Sequence, residues 1–459
     1  MFKPLAALRC RSKIRVQLLL AGAVLSTSLV LGSSAHADDI NWRQYEGTTI
    51  TWAYDIHPYA DAVAAQLPEF EKLTGIKVKP ELYPDDSYWS KLTIQLTTKS
   101  PAWDVIGTGI QPAWDLGETL EPLNKYLEDP KLTSSDYDYK DFFPALTSAL
   151  TWNLTDGQIE PDDNGKVWAI PHAFENIQLF YRKDILDKYK VPVPTTPQEM
   201  GKACDALKAA DPKITPLGVR GVRFWSSIHT AAVSIAKSYG VQDFVVKDGK
   251  LDSGLDSPES IQFHKDYVEM IKKCAAPSFA NDNWYQVVDG ISSGRTAMAI
   301  DSNMFGFWND VAGQPASGKI AFAPPPRAPD AKIFESNIWI WSLAMNSASN
   351  QKGAAWMFIQ WATSKKVDLA GAVAGKLVNS PRQSTWADKS WVEYASKPEF
   401  NNFVESFKST QDRAKLAFTP RVGFSEAMNA WAVAMQKMVS GADVESTLHD
   451  LAEEIRSGL

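Results

Sequence analysis

Indole, carboxylate and amide side chains are the groups in this chain best suited to chemistry, and the chemistry they suit is recognition of hydroxyls. The sequence carries 17 Trp, 14 Tyr and 20 Phe among 459 residues. An indole presents a flat, polarizable face that excludes water and matches the C–H face of a sugar. Asp, Glu, Asn, Gln and Arg satisfy a rim of hydroxyls, often bidentately. For any one tryptophan, a place in the core is the competing explanation.

Other chemistries lack their residues. Glycoside hydrolysis needs two carboxylates at a set separation, which Glu175 and Asp301 would have to supply, yet no eightfold strand–helix alternation surrounds them. There is no Gly-rich phosphate loop with its lysine, no dinucleotide fingerprint and no G-x-S-x-G elbow. His57, His172, His229, His264 and His449 lack metal-ligand spacing. Asp162-Asp163-Asn164-Gly165 misses the alternation of a calcium loop and reads as a hairpin turn before a strand over 166–170. A binding protein is therefore expected, with no enzymatic activity, no cofactor and no metal. The alternative ligand is a non-sugar solute such as an opine or polyamine, because Asp55, Asp86, Glu175 and Asp301 beside aromatics would also suit an amine.

Stepping along the chain, the first 37 residues read as a secretory signal peptide cleaved after Ala37. Lys3, Arg9, Arg11, Lys13 and Arg15 precede an apolar run over 16–31, and Ala35-His36-Ala37 follows as a small-residue cleavage site. Removing these five cations takes the net charge from −7 to −12. Such acidity disfavours nucleic acid and anionic membranes as partners. No later stretch approaches the roughly 18 apolar residues of a membrane span. About 420 residues remain, enough for two lobes. Cys204 and Cys274 remain too, and an oxidising compartment favours a disulfide between them over two buried thiols.

Strand-like and helix-like segments alternate. Residues 48–54, 76–83 and 104–107 read as strands, with helices over 59–74 (kinked at Pro68) and 88–98 between them. This order predicts a parallel sheet covered by helices. Thr196-Pro197-Gln198-Glu199 and Ser257-Pro258 are helix starts. A further helix begins at Asn350. Residues 295–300 and 319–322 read as strands, and the proline-rich 324–329 as an extended crossing.

Short motifs in a fixed order then point to a family. They are Phe70-Glu71-Lys72-Leu73-Thr74-Gly75-Ile76-Lys77-Val78, Asp104-Val105-Ile106, Leu120-Glu121-Pro122-Leu123, Gly165-Lys166-Val167-Trp168-Ala169-Ile170-Pro171, Phe180-Tyr181-Arg182-Lys183-Asp184, Ser293-Gly294-Arg295-Thr296-Ala297-Met298 and the helix over 354–363. In this order the chain resembles the carbohydrate-binding extracellular solute-binding proteins of bacterial ABC importers, the maltose-binding-protein-like group. The resemblance implies an α/β, two-lobed periplasmic binding protein fold, each lobe an open sheet flanked by helices, joined by a multi-crossing hinge. It implies a monomeric periplasmic protein that closes on a small sugar, polyol or sugar derivative and delivers it to membrane permease subunits. The expected parts are 38–172 and 326–368 for one lobe, 173–325 and 369–459 for the other.

Candidate ligand contacts fall at strand ends, where open α/β sheets bind. His57 follows the first strand. Asp86 either takes hydroxyls or caps the next helix. Gln111 follows the third strand, with Trp114 as a stacking partner. By resemblance, Glu175 matches a sugar-contacting glutamate and Trp225 a stacking aromatic. Asp301 and Asn303 follow the strand over 295–300. Asn337 and Trp339 stand where relatives carry Gly-Gly-Trp, which implies a smaller or reshaped pocket. Trp339 and Trp341 alternate along one strand, and only one of the two is expected to face the ligand. Arg382 and Arg421 are late candidates that would favour an acidic ligand, with surface ion pairing as the competing role.

Overall fold

The computed structural model describes residues 40–109, 113–114, 116–332, 335–420 and 423–458, apart from the side chains of Asp85 and Asp86. The leader and the candidates Gln111 and Arg421 lie outside the described residues, as does the Asp86 side chain.

Three parallel strands open the fold: β1 (Thr49–Asp55), β2 (Lys77–Tyr83) and β3 (Val105–Thr108). They match the predicted strands to within a residue or two. The predicted 59–74 helix is two helices, Pro58–Ala64 and Leu67–Thr74. Pro68 sits in the first turn of the second, where a missing N–H costs nothing, and Gly75 ends it at φ 69°. Two short hairpins follow elsewhere in the chain, β4 (Thr151–Trp152) with β5 (Lys166–Val167), and β8 (Phe244–Lys247) with β9 (Lys250–Ser253).

Two long strands bind the molecule together. They are β6 (Ile170–Arg182) and β12 (Ser336–Met345), buried almost throughout. The remaining strands of the main sheet are β7 (Thr215–Gly218), β10 (Thr296–Ser302), β11 (Ile320–Ala323) and β13 (Ala414–Lys415). The sheet runs β2-β1-β3-β12-β6-β10-β7, with β11 beside β6 and β13 beside β12. β6 and β12 are antiparallel, from Ile338 opposite Asn176 to Leu343 opposite Ile170. The C-terminal half of β12 pairs with β3, and the C-terminal half of β6 with β10 and β11. The same two strands thus belong to both halves of the sheet, which gives two lobes a shared backbone.

A strand buried on both faces should read as continuously apolar, yet β6 contains Asn176 and Gln178. Both are satisfied. Their amides donate to Thr410 Oγ1 at 2.8 and 2.7 Å, and Asn176 Oδ1 accepts from Ser336 Oγ at 2.6 Å. Gly107 in β3 is fixed by packing: a Cβ there would stand 1.8 Å from the Tyr54 ring. Tyr54 in turn packs on Trp341 at 5.9 Å, so this glycine lets the aromatic layer approach β3.

The expected lobe boundary at 368/369 falls inside one continuous helix, Lys365–Val373. Gly371 of that helix lies close against Ala62, where a Cβ would meet the Ala62 Cβ at 3.2 Å. The helix therefore packs as one piece against Pro58–Ala64.

Cys204 and Cys274 are joined as a disulfide, linking the helices Pro197–Ala210 and Pro258–Cys274 across 70 residues of sequence. Closing a loop of that length restricts the unfolded chain by about 4 kcal/mol at room temperature. Replacing both cysteines with alanine is expected to lower the unfolding free energy by about that amount, measured by urea denaturation.

Candidate functional site

One cavity lies where both halves of the sheet send their side chains. From the first half come Asp55, Ile56 and His57 at the end of β1, and Trp89 from the helix Asp85–Thr97. The shared strands supply Glu175 from β6 and Trp339 and Trp341 from β12. Residues 339 and 341 are two apart, so their side chains stand on one face of the strand. Both tryptophans therefore line the cavity, and the expectation that only one would do so is corrected. Trp339 lies opposite Glu175 in the ladder. Its neighbour Trp341 reaches diagonally to donate from Nε1 to Glu175 Oε1 at 2.9 Å. This bond fixes the carboxylate from behind.

The second half adds an ion pair and an aromatic wall. Arg220, two residues beyond β7, donates from Nε and Nη2 to the two oxygens of Asp301 at 2.8 and 2.6 Å. Asp301 is fully buried and also accepts from the Ser302 N–H. A bidentate pair of this kind holds a guanidinium in one orientation. Trp225, Ser226 and His229 come from the turns after β7. Trp284 opens the helix Trp284–Ser293 and stacks on Phe305 at 5.4 Å with 5° between planes. Trp225 packs on Trp339 at 4.7 Å, and Trp89 meets Trp225 edge-on at 5.4 Å.

The enclosed space is small. A water-sized centre can occupy about 40 Å³ of it in this conformation. His57 caps the helix Pro58–Ala64, its Nδ1 accepting from the Tyr59 N–H at 3.3 Å. Burial holds its pKa down to about 3, helped by nearby His172 and Arg220. The ring is thus neutral, and with Nδ1 accepting, its hydrogen sits on Nε2. His229 is likewise held well below the usual histidine value by burial, then by Arg220. Asp55, Glu175 and the Arg220–Asp301 pair, the two neutral imidazoles and five indoles make an aromatic box with polar corners.

The profile of bacterial extracellular solute-binding proteins matches residues 55–368. The chain belongs to that family. Two relatives are similar over long stretches. The erythritol/L-threitol-binding protein of Mycolicibacterium smegmatis is 28% identical over 426 residues, 92% of this chain and 88% of its own. The mannitol-binding protein of Pseudomonas aeruginosa is 23% identical over 323 residues, 69% of each. A solved ABC transporter solute-binding protein of Agrobacterium radiobacter K84, in complex with ribitol, matches with a TM-score of 0.75 at 19% identity. That match covers 90% of this chain and 99% of the other, and it shows a shared two-lobed fold.

Within this solute-binding protein the structure sorts the candidates. His57, Glu175, Trp225 and Trp339 meet around the cavity. Asp301 stands behind Arg220 and positions it. Asn303 is fully buried and accepts from the Asn379 amide at 2.7 Å. Asn337 donates to the His229 carbonyl and accepts from the Ala417 N–H, so it braces the wall instead of lining the cavity. Trp114 packs edge-on to Trp152 at 5.7 Å, away from the other candidates. Arg382 is fully buried among backbone carbonyls: Nε bonds Thr363 O, Nη1 bonds Asp138 O and Asp141, and Nη2 bonds Tyr137 O. Its guanidinium also lies 4.0 Å from the Phe142 ring centroid. Its donors are committed there, and it ties these loops together.

The sequence reading omitted Trp89, Arg220, Ser226, His229, Trp284, Phe305 and Trp341 from the site. Arg220 had a signal, since it lies just past the C-terminal end of a strand. Trp284 had a weaker one, the Asn283 cap that starts its helix. Trp89 and His229 had none, because their facing is set by how helices pack.

Arg382→Met keeps volume but strands a carboxylate and several carbonyls. It is expected to cost about 3–5 kcal/mol in urea unfolding, while ligand affinity of the folded protein changes by less than about twofold.

Proposed function

We propose that this protein captures a small, neutral, acyclic polyol of about four to six carbons and hands it to the permease subunits of an ABC importer. The observation that carries this reading is the cavity itself: five indoles enclose a narrow space whose corners are Glu175, His57, His229 and the fixed Arg220. Indole faces suit the C–H edge of a carbon chain, and the corners suit hydroxyls on both sides of it. The ligands named for the relatives, erythritol, L-threitol and mannitol, are of this class, as is the ribitol of the solved structure. An acidic ligand loses the support of Arg382, which is committed elsewhere.

In this reading the lobes are 38–172 with 326 to beyond 373, and 173–325 with the remainder. They swing about β6 and β12 to admit the ligand and close over it. The leader is removed after Ala37, and the protein works outside the cytoplasmic membrane as a monomer that binds without chemistry.

Isothermal titration with erythritol, L-threitol, ribitol, mannitol, maltose and putrescine tests the reading. At least one alditol is expected to bind, maltose not at all, and Glu175→Gln to weaken the alditol by about 10- to 100-fold, the worth of a hydrogen bond to a charged group. Binding of putrescine alone would overturn it. Affinity for the alditol is expected to stay within about twofold from pH 6 to pH 8. Burial holds the His57 pKa down to about 3 and that of His229 well below the usual histidine value, so both imidazoles stay neutral across that window.

A further inference from the structure

Four buried polar atoms without hydrogen-bond partners gather on one stretch of the second half. They are Ser226 Oγ, both ring nitrogens of His229 and Thr230 Oγ1. These residues are 6%, 2% and 0% exposed. Folded proteins leave few such groups, because each unmade bond costs about 1–3 kcal/mol of desolvation. Their concentration on five residues calls for a cause.

The local backbone explains how they came together. Residues Ile228–Ala232 form a π-helical turn, with Thr230 at φ −81° and ψ −105°. A π turn widens the helix, re-aims side chains and breaks the regular carbonyl ladder, and such turns concentrate at functional sites. Here the His229 carbonyl is taken up by the Asn337 amide, whose oxygen accepts from the Ala417 N–H at 2.9 Å. The wide turn is therefore pinned to β12 and not free to relax into an ordinary helix. The His229 ring lies 5.4 Å from Trp225 and 5.1 Å from Trp339, between two walls of the box. Both Ser226 and His229 line the cavity.

We propose that Ser226 and His229 are specificity-determining residues that bond adjacent hydroxyls of the ligand, the imidazole giving one hydrogen and accepting another. This rests on the polyol reading above. A neutral imidazole has one donor and one acceptor nitrogen, and a diol offers the complement at both. Burial, with the Arg220 charge, keeps the His229 ring neutral. The Ser226 carbonyl draws the other way, but neither ring nitrogen meets it in hydrogen-bond geometry. A site built to bond a hydroxyl rejects an analogue without it, since its own polar groups are then left unpaired.

The test pairs titration with unfolding of the ligand-free protein. Wild type, Ser226→Ala, His229→Phe and His229→Gln are titrated with the four alditols and with monodeoxy forms of whichever binds. His229→Phe is expected to weaken the bound alditol about 30-fold, while its urea midpoint without ligand stays equal or rises, because an unpaired polar group has been removed. Wild type should lose a similar factor on one deoxy form, and His229→Phe should not tell that form from its parent. His229→Gln, which keeps a donor and an acceptor, should recover most of the affinity. If His229→Phe binds the alditol within twofold of wild type, or loses stability with unchanged affinity, the niche is structural and the proposal falls. If wild type binds no alditol, the polyol reading itself falls, a result separable from the first.

Discussion

The antiparallel pairing of β6 with β12 carries both halves of the sheet and the floor of the cavity. Because both strands are buried on two faces, their polar residues must be matched in place. Asn176 and Gln178 find Thr410, Glu175 finds Trp341, and Asn337 bridges the His229 carbonyl and the Ala417 N–H. The Glu175 bond ties the two central strands to each other, and the others link them to segments far away in sequence. The ladder thus sets where the cavity-lining groups of β6 and β12 stand, and it joins the two halves of the sheet.

Charge in the cavity follows the same economy. Arg220 and Asp301 neutralise one another in bidentate geometry, with the carboxylate further from the ligand space. The imidazoles are kept uncharged by burial and by that guanidinium. The cavity thus sets two carboxylates, Asp55 and Glu175, beside a neutralised guanidinium and uncharged rings, a mixture of acceptors and donors that can bond hydroxyls. The indoles complete the site by excluding water from those bonds.

Much of the fold was legible because it depends on short-range rules. The strands at 49–55, 77–83 and 105–108, the capped helices at Pro197 and Pro258, and the glycine stop at Gly75 follow from alternation, capping and turn chemistry. The kink at Pro68 was legible in place but not in degree, since the chain makes two helices there. The candidate site was legible where a residue ends a strand, as for His57, or matches a position by resemblance, as for Glu175. It was not legible where side chains of matching chemistry are engaged elsewhere. Arg382 has the right group, but only packing shows that its bonds are already made.

By itself, the sequence determined an acidic, tryptophan-rich chain of alternating strands and helices with the ordered motifs of a solute-binding family. Those properties are composition and local pattern, and they persist in any arrangement of the lobes. Only the tertiary structure decided which tryptophans became walls, that Asp301 serves Arg220, and that a π turn brings Ser226 and His229 to the cavity unpaired. The reason is physical: whether a polar group is available to a ligand depends on every other group within hydrogen-bond reach. Those neighbours often come from segments far apart in sequence, as Arg220 and Asp301 are at 81 residues and Asn337 and His229 at 108.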